Sequence, residues 1–463
     1  MYFFEKNENY KNRVFCIDES GTSYTYSQIW EIGDTLTATM PPRSLVLLLV
    51  VNDVRSVACY LSLLRRRCPV ILMGRNTDPA LIERMRDTYQ PDFLVDATEV
   101  KDLREHGAST GIYKDLGLLL STSGSTGAQK LVRLSYDNLQ ANCDSIVEYL
   151  ELNENERPIT TLPMEYTYGL SVIHSHAAVG ASIILTDLSF FQPGFWDLVE
   201  KHSATSMAGV PYSYEMLHRL RIERMDIPSI RTLTQAGGHL KAELQESMAV
   251  WAEKTSRRFF VMYGQTEATA RMSYIPWKRC GEKVGSIGIP VPGGRIELVD
   301  DDGTVIEDIG VSGELIYYGA NVSLGYAVCR EDLAKGDENK GRLQTGDIAY
   351  RDEEGYFYIS GRKKRFVKLY GKRISLDQVQ DELQEVYDTA DIVCTGDDVH
   401  GVVVWKTPQA AAADEESLLQ LFWEKWGIRE DHLIIRTIDE IPRNTSGKTI
   451  YANLKLEDEE KSE

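Results

Sequence analysis

Leu118-Leu-Leu-Ser121-Thr122-Ser123-Gly124-Ser125-Thr126-Gly127-Ala128-Gln129-Lys130 joins an aliphatic run to a loop of small residues closed by one lysine. The aliphatic run reads as a buried strand. The loop contributes nothing to a core, but it offers backbone N–H groups, hydroxyls and one ammonium at short range. That set suits the oxygens of a polyphosphate. A Walker loop requires Gly, four residues, then Gly-Lys-Ser/Thr. Neither Gly124 nor Gly127 has that spacing to Lys130, and the Gly447-Lys448-Thr449 triplet has Pro442 where the first Gly should stand. A phosphate-binding loop is therefore expected, and a P-loop NTPase is not.

Outward from this loop, short aliphatic runs alternate with longer amphipathic stretches. Residues 45–51, 69–73, 118–121, 159–162, 182–185, 206–210, 232–234 and 259–262 read as strands, and Ser135 can cap a helix running toward Leu150. The alternation predicts layered α/β structure with largely parallel sheets. Between residues 285 and 326, Gly, Pro and alternating strands predict a small antiparallel, barrel-like unit. After it, a hairpin at 348–350 and 356–360 leads through Gly361-Arg362-Lys363-Lys364-Arg365 into a small α+β module. The expected domains are 1–363 and 364–463, the second small and mobile.

The 463 residues are too many for one ordinary core. Apolar residues make up 43% and charged residues 26%, as in globular proteins. A net charge of -19 argues against nucleic acid and against an anionic membrane surface, so an anionic ligand requires a local basic pocket. The seven cysteines are scattered and form no Cys-x-x-Cys pair, which suits free thiols in a reducing cytosol. No signal peptide and no apolar run of membrane-spanning length is read, so a cytoplasmic protein is expected. His174 and His176 resemble a metal pair, but an apolar helical stretch surrounds them, so one core and one surface histidine are expected.

Four further clusters carry chemistry. In Tyr263-Gly264-Gln265-Thr266-Glu267 an aromatic can stack on a base, a hydroxyl can meet a phosphate, and a carboxylate can hold Mg²⁺. Asp347, in Gln344-Thr345-Gly346-Asp347, can accept both hydroxyls of a ribose. Residues 361–374 form the densest positive block of an acidic chain. Ile441-Pro442-Arg443-Asn444-Thr445-Ser446-Gly447-Lys448 is a Pro/Gly-framed loop ending in one lysine. Taken singly, each is as readily a turn or a solvated face.

Together and in this order, the clusters resemble the adenylate-forming superfamily of acyl-CoA synthetases, peptide-synthetase adenylation domains and luciferase-like AMP-binding enzymes. The resemblance covers about residues 118–454 and includes T-S-G-S-T-G-x-x-K, Y-G-x-T-E and the G-E-L-x-x-x-G-x-x-V-x-x-G-Y segment from Gly313 to Tyr326. T-G-D, G-R-x-x-x-x-V-K-x-x-G-x-R-I and P-x-x-x-x-G-K complete it. It implies activation of a carboxylate by ATP to an acyl-adenylate with loss of pyrophosphate, then acyl transfer to the thiol of CoA or of a carrier-protein phosphopantetheine.

By that resemblance, Lys448 bridges the carboxylate and the α-phosphate. Thr122, Ser123, Ser125, Thr126 and Lys130, with Gly124 and Gly127 between them, hold the β- and γ-phosphates. Glu267 takes Mg²⁺ and Thr266 lies near the α-phosphate. Tyr263, Gly264 and the pair Gly237-Gly238 flank the adenine, Asp347 and Arg362 bind the ribose, and Tyr358 lies near the nucleoside. The resemblance puts a pivot at Lys364. Rotation there withdraws Lys448 and brings in the 368–371 strand, with Lys368 serving the second half-reaction and Gly371 lining the thiol tunnel.

Departures from the family pattern are informative. Gln129 replaces the usual Pro of the loop, and Tyr451 the usual basic residue after Lys448. In Leu162-Pro163-Met164-Glu165-Tyr166-Thr167-Tyr168-Gly169-Leu170, Tyr166 stands where an aromatic or His gates the acyl pocket. Thr167, Ser171, Val210, Tyr212 and Ser213 are the other expected wall residues and suit a modest, partly polar or aromatic acid. No Asp for an α-amine occurs in residues 166–170. The same motifs also fit an amide ligase with an amine acceptor, or a degenerate nucleotide-binding protein, although the presence of Lys448, Glu267, Asp347 and Lys130 argues against degeneration.

Overall fold

A computed structural model describes residues 1–96, 99–104, 111–121, 130–363, 365–370, 372–443 and 449–456. It divides into two compact units, one of residues up to 121, 130–296 and 317–343, the other of residues 297–316 and 344 onward.

The first unit holds two large sheets. In the seven-stranded sheet the order is Gly325–Ala327, Leu131–Ser135, Leu116–Ser121, Val70–Gly74, Val46–Val50, Phe93–Val95, Val100–Asp102. Its centre is parallel, with Leu48 opposite Leu72 and Leu72 opposite Leu120. The runs are continuously apolar because helices and strands cover both faces. Val46, Leu48 and Val50 enter one core with Val70 and Leu72. Leu45, Leu47, Leu49, Ile71 and Met73 enter a second core on the other face, as period-two alternation requires. The helix Val54–Arg65 is started by Asp53, which accepts from Ser56 N at 2.7 Å. The helix Tyr136–Leu150 begins with the expected Ser135 cap, answered by Asn138 donating and accepting at 3.0 and 2.9 Å.

The nine-stranded sheet runs Ile289–Pro290, Ser273–Tyr274, Arg258–Tyr263, Thr232–Gln235, Ser206–Gly209, Pro158–Ile159, Ile183–Ile184, Val14–Ile17, Ser23–Thr25. Its central strands are parallel and both edges antiparallel. The runs expected at 159–162 and 182–185 shorten to two residues each. Beyond them the Thr160 hydroxyl takes over the ladder, accepting from Thr186 N and donating to Thr186 O, both at 2.8 Å.

His176 is not the surface histidine that was expected. The helix Thr167–Ala178 is covered on nearly every side, and both its histidines are buried. His174 is stacked against Phe3 at 4.1 Å and meets the Tyr60 hydroxyl at 2.9 Å. Burial lowers His174 to about 3 and His176 to about 4. All seven cysteines are free, and all but the half-buried Cys329 are buried. Among the described residues no helix is long and apolar enough to cross a membrane.

In the second unit the residues expected as a small barrel give a four-stranded sheet in the order Arg295–Val299, Gly313–Tyr318, Arg342–Arg351, Phe357–Arg362. The third strand of the Gly/Pro-rich region, Gly325–Ala327, leaves it for the seven-stranded sheet because it pairs with Leu131–Ser135. A three-stranded sheet of Ile392–Asp397, Gly401–Lys406 and Leu433–Thr437 packs with the helices Leu376–Val386 and Glu415–Trp426 around Val402, Val404, Leu418 and Phe422. The hairpin at 348–350 and 356–360 is present and longer, as Arg342–Arg351 and Phe357–Arg362. It groups with the C-terminal residues, ahead of the expected boundary after Lys363.

Candidate active site

The phosphate-loop residues Thr122, Ser123, Gly124, Ser125, Thr126 and Gly127 lie outside the described residues, as do Lys364, Gly371 and Lys448. What frames the loop is described. Leu116–Ser121 and Leu131–Ser135 run antiparallel, with Ser121 opposite Leu131, so Lys130 stands at the entrance of the return strand. On the far side of that strand Gly325–Ala327 pairs with it, Tyr326 opposite Val132. This register puts Lys130 Nζ 3.6 Å from the centroid of the Tyr326 ring, a cation–π contact. The Tyr326 hydroxyl donates to Glu267 Oε1 at 2.7 Å. Three segments distant in sequence thus bring together an ammonium, a phenol and a carboxylate.

Buried polar groups hold these segments. Arg133 is fully buried, donates to the carbonyls of Leu324, Tyr326, Lys335 and Gly336, and pairs with Glu338. Its guanidinium therefore fastens the 324–338 segment to the strand behind Lys130. Ser323 N donates to the carbonyl of Glu267 at 2.9 Å. Buried Asn321 donates to the carbonyls of Ala268 and Arg271 at 2.8 and 2.9 Å and accepts from Tyr317 at 2.9 Å, while Thr269 donates back to the Asn321 carbonyl at 2.6 Å.

The turn carrying Thr266 and Glu267 leaves the strand Arg258–Tyr263 and closes on itself. A Cβ at Gly264 would lie 1.6 Å from the Ala270 carbonyl oxygen, so glycine is required there. Thr269 and Ala270 have φ of 58° and 116°, conformations that side chains rarely adopt. Gln265 donates to the Tyr263 hydroxyl at 3.2 Å, which ties the candidate adenine-stacking ring to the turn.

In the candidate acid pocket, Gly237 (φ 87°) is the point of convergence. A Cβ there would meet the Tyr166 hydroxyl at 2.6 Å and Val210 at 3.1 Å, and one at Gly238 would meet Pro211 at 3.1 Å. Tyr166, Val210 and Gly237 are therefore brought together. Burial raises the Tyr166 phenol, with Arg271 opposing, so it is a neutral hydroxyl. Thr167 opens the helix behind Tyr166 and is half-buried. Of the other expected wall residues, Tyr212 is 54% exposed on the first turn of its helix, and Ser171 donates to the Tyr168 carbonyl at 2.7 Å. Ser213 caps its own helix by accepting from Val210 N at 3.3 Å.

In the second unit Asp347 is buried and faces Arg362 across the ladder, Oδ1 to Nε at 3.0 Å. Tyr358 does not join them. A bulge at Ser360 shifts the register, so Tyr358 pairs with Tyr350, three residues from Asp347 and hence on the opposite face. There it stacks on Tyr350 with centroids 5.2 Å apart and donates to Asp352 at 3.3 Å. Ile359, opposite Ala349, shares the face of Asp347 instead. Lys363 pairs with Glu314 at 2.8 Å, immediately before the expected pivot. Lys368 lies on the strand Phe366–Leu369, and Tyr451, where the family pattern has a basic residue, lies 3.7 Å beneath the Arg365 guanidinium.

The donor set suits the expected ligands. Tyr326 occupies Oε1 of Glu267, and a carboxylate with neighbouring hydroxyls is the oxygen chemistry that Mg²⁺ prefers. Tyr326 and Arg271 were missed as functional candidates. Their signals were an aromatic closing the G-E-L segment and a lone arginine eight residues after Tyr263.

Known proteins agree with this architecture. Residues 111–327 match the AMP-binding enzyme family. The chain is 30% identical over 348 residues to a 2-succinylbenzoate–CoA ligase of Bacillus pumilus, covering 73% of this chain and 68% of that protein. It is 28% identical over 354 residues to a long-chain-fatty-acid–CoA ligase of Escherichia coli O157:H7, covering 74% of this chain and 62% of that one. The structure of the o-succinylbenzoate CoA synthetase from Bacillus subtilis in complex with its acyl-adenylate superimposes with a TM-score of 0.79 at 20% identity, over 96% of both chains, a likeness of fold. The chain belongs to the AMP-binding enzyme family, within the adenylate-forming superfamily. It spans about 62% of the length of the fatty-acid ligase it matches.

Proposed function

We propose that the protein is an AMP-forming acid–thiol ligase that activates a small carboxylic acid with ATP and passes the acyl group to CoA. The observation that supports this reading is the Lys130–Tyr326–Glu267 constellation, which sets an ammonium beside a carboxylate at the start of the strand that follows the Ser/Thr/Gly loop.

In the first step a carboxylate oxygen attacks the α-phosphorus, and the bond from that phosphorus to the pyrophosphate oxygen breaks. Two anions approach each other, so neutralising charge is the main demand, and a well-placed donor is worth about 3 kcal/mol. Lys130 and the hydroxyls of residues 122–126 hold the leaving pyrophosphate, with Thr266 and Lys448 at the α-phosphate. Glu267 would hold Mg²⁺, which would supply charge neutralisation. Asp347 and Arg362 take the ribose with Ile359 on the same face, and Tyr263 with Gly237, Gly238 and Gly264 flanks the base. Tyr166 and Val210 hold the acid. In the second step a thiol attacks the acyl carbon, AMP leaves, and the thiol proton passes to solvent.

The pivot at Lys364, the domain boundary after Lys363, and the parts of Lys368 and Gly371 in thiol delivery belong to the same reading. CoA is favoured over a carrier protein because carrier proteins are acidic and this chain carries -19. Buried free thiols suit a cytoplasmic location. The test is ATP–pyrophosphate exchange over a panel of carboxylic acids, with ATP binding followed by calorimetry. Lys448→Ala should impair adenylation far more than thioester formation from pre-made acyl-adenylate. Equal loss of both steps removes that role, and a protein that does not bind ATP is not this enzyme.

A further inference from the structure

Arg271 is only 3% exposed. Its guanidinium carbon lies 3.9 Å from the centroid of the Tyr168 ring. Its charge also acts on the hydroxyls of Tyr166 and Tyr149, opposing the rise that burial causes there. The guanidinium shares a hydrogen bond with the Tyr149 hydroxyl, but Nε has no partner and no carboxylate among the described residues pairs with the side chain. The contrast is Arg133, equally deep, which is met by four carbonyls and Glu338. Removing a cation from water is costly unless an anion or full hydrogen bonding replaces the solvent, and one aromatic face returns only part of that cost.

The backbone goes to some length to keep Arg271 where it is. Two consecutive left-handed residues, Thr269 and Ala270, precede it, and Asn142 and Asn321 both donate to its carbonyl at 2.9 Å. The ring beside it, Tyr168, makes an edge contact with Tyr166 at 6.2 Å, and the Tyr166 hydroxyl abuts Gly237 at the point where Val210 converges. The cation, without a counter-charge among the described residues, therefore stands beside the tyrosines of the candidate acid pocket.

We infer that Arg271 is the counter-charge for a second anionic group on the acid, so that the substrate class is a small dicarboxylate or sulfo-carboxylate. This rests on the reading of Tyr166, Val210 and Gly237 as the acid pocket. A second anion completes the pairing of the guanidinium, whereas a plain alkyl acid leaves it unpaired against hydrocarbon, the kind of mismatch that discriminates substrates most strongly.

The experiment compares succinate with butyrate, and glutarate with valerate, alongside 3-sulfopropionate, in ATP–pyrophosphate exchange by the full chain. The doubly charged acid should be favoured at least a hundredfold in kcat/KM over its singly charged partner. Arg271→Met should close that gap through KM rather than kcat, and Arg271→Lys should restore part of it. The inference is overturned if the wild-type enzyme prefers the alkyl acids, or if Arg271→Met keeps the gap. An equal loss with every acid also overturns it, since that puts the guanidinium at the reacting carboxylate. The wild-type comparison stands even if Arg271→Met fails to fold. Calorimetry with ATP alone needs no acid and separates the two readings: no ATP binding removes the ligase and this inference together, while ATP binding with an alkyl preference removes Arg271 alone.

Discussion

The turn that carries Glu267 and the hairpin that carries Asp347 each present one carboxylate, and they are held by opposite means. Around Glu267 the backbone is fixed by a glycine no other residue can replace, by two left-handed residues, and by Asn321 spanning two carbonyls. Asp347 stands on a regular ladder and is met by Arg362, whose side chain is half in solvent. The first arrangement fixes a position through buried polar groups, where a change of one atom leaves partners unsatisfied. The second fixes an orientation with one ion pair, buried on the Asp347 side and half-exposed on the Arg362 side. Substitutions at the turn should therefore damage the fold and the site together, and substitutions at the hairpin the site alone.

The largest expected effect is Gly264→Ala. A methyl 1.6 Å from the Ala270 carbonyl must open the turn, and about 4 kcal/mol of stability in urea denaturation should go, together with ATP binding. If that variant unfolds at the wild-type urea concentration, the turn is not held as described. Next comes Asn321→Leu, which strands the Ala268 carbonyl and the Tyr317 hydroxyl and leaves the Arg271 carbonyl to Asn142 alone, for about 3 kcal/mol.

Acid should act on the first unit through its two buried helix histidines. His174 and His176 are held neutral, at about 3 and about 4 against 6.5 when unfolded. Their contribution is complete above pH 6.5. Below it the unfolded chain binds protons that the folded chain refuses, so stability falls, by roughly 2 kcal/mol per histidine at pH 5. Melting curves from pH 7 to pH 5 should show this slope, and His174→Phe should flatten it.

Asp347→Asn sharpens the comparison from the other side. Stability should change by no more than about 1 kcal/mol, yet ATP affinity by calorimetry should drop at least tenfold. A large stability loss there would make the two carboxylates alike after all. The smallest effect is expected from Tyr326→Phe, which keeps the ring under Lys130 and removes the hydrogen bond to Glu267. A few-fold weakening of ATP binding in the presence of Mg²⁺, and little without it, is the expected pattern.

Much of the scaffold was legible because its signals are local. Leu118–Leu120 and Val46–Val50 announce buried parallel strands by unbroken aliphatic character, and Ser135 announces its helix by a cap. Arg133 was not legible, since a charge inside Leu131-Val-Arg-Leu has partners almost two hundred residues away. The face of Tyr358 depends on one extra residue at Ser360, and a bulge has no reliable local signature. Tyr326 owes its place to a strand pairing and Arg271 to side-chain hydrogen bonds from Asn142 and Asn321, all from segments distant in the chain, which periodicity does not report. Motif order identified the family, whereas the partners of individual side chains needed the fold.

Cys329 lies two residues beyond the strand that presents Tyr326, and it is the one thiol of seven not shut inside the protein. A maleimide dye offered to the native enzyme should therefore attach at a single place without any cysteine being engineered. Its emission would be a built-in reporter on the Lys130–Tyr326–Glu267 corner, by which nucleotide arrival can be timed in a stopped-flow cell before any acid has been identified.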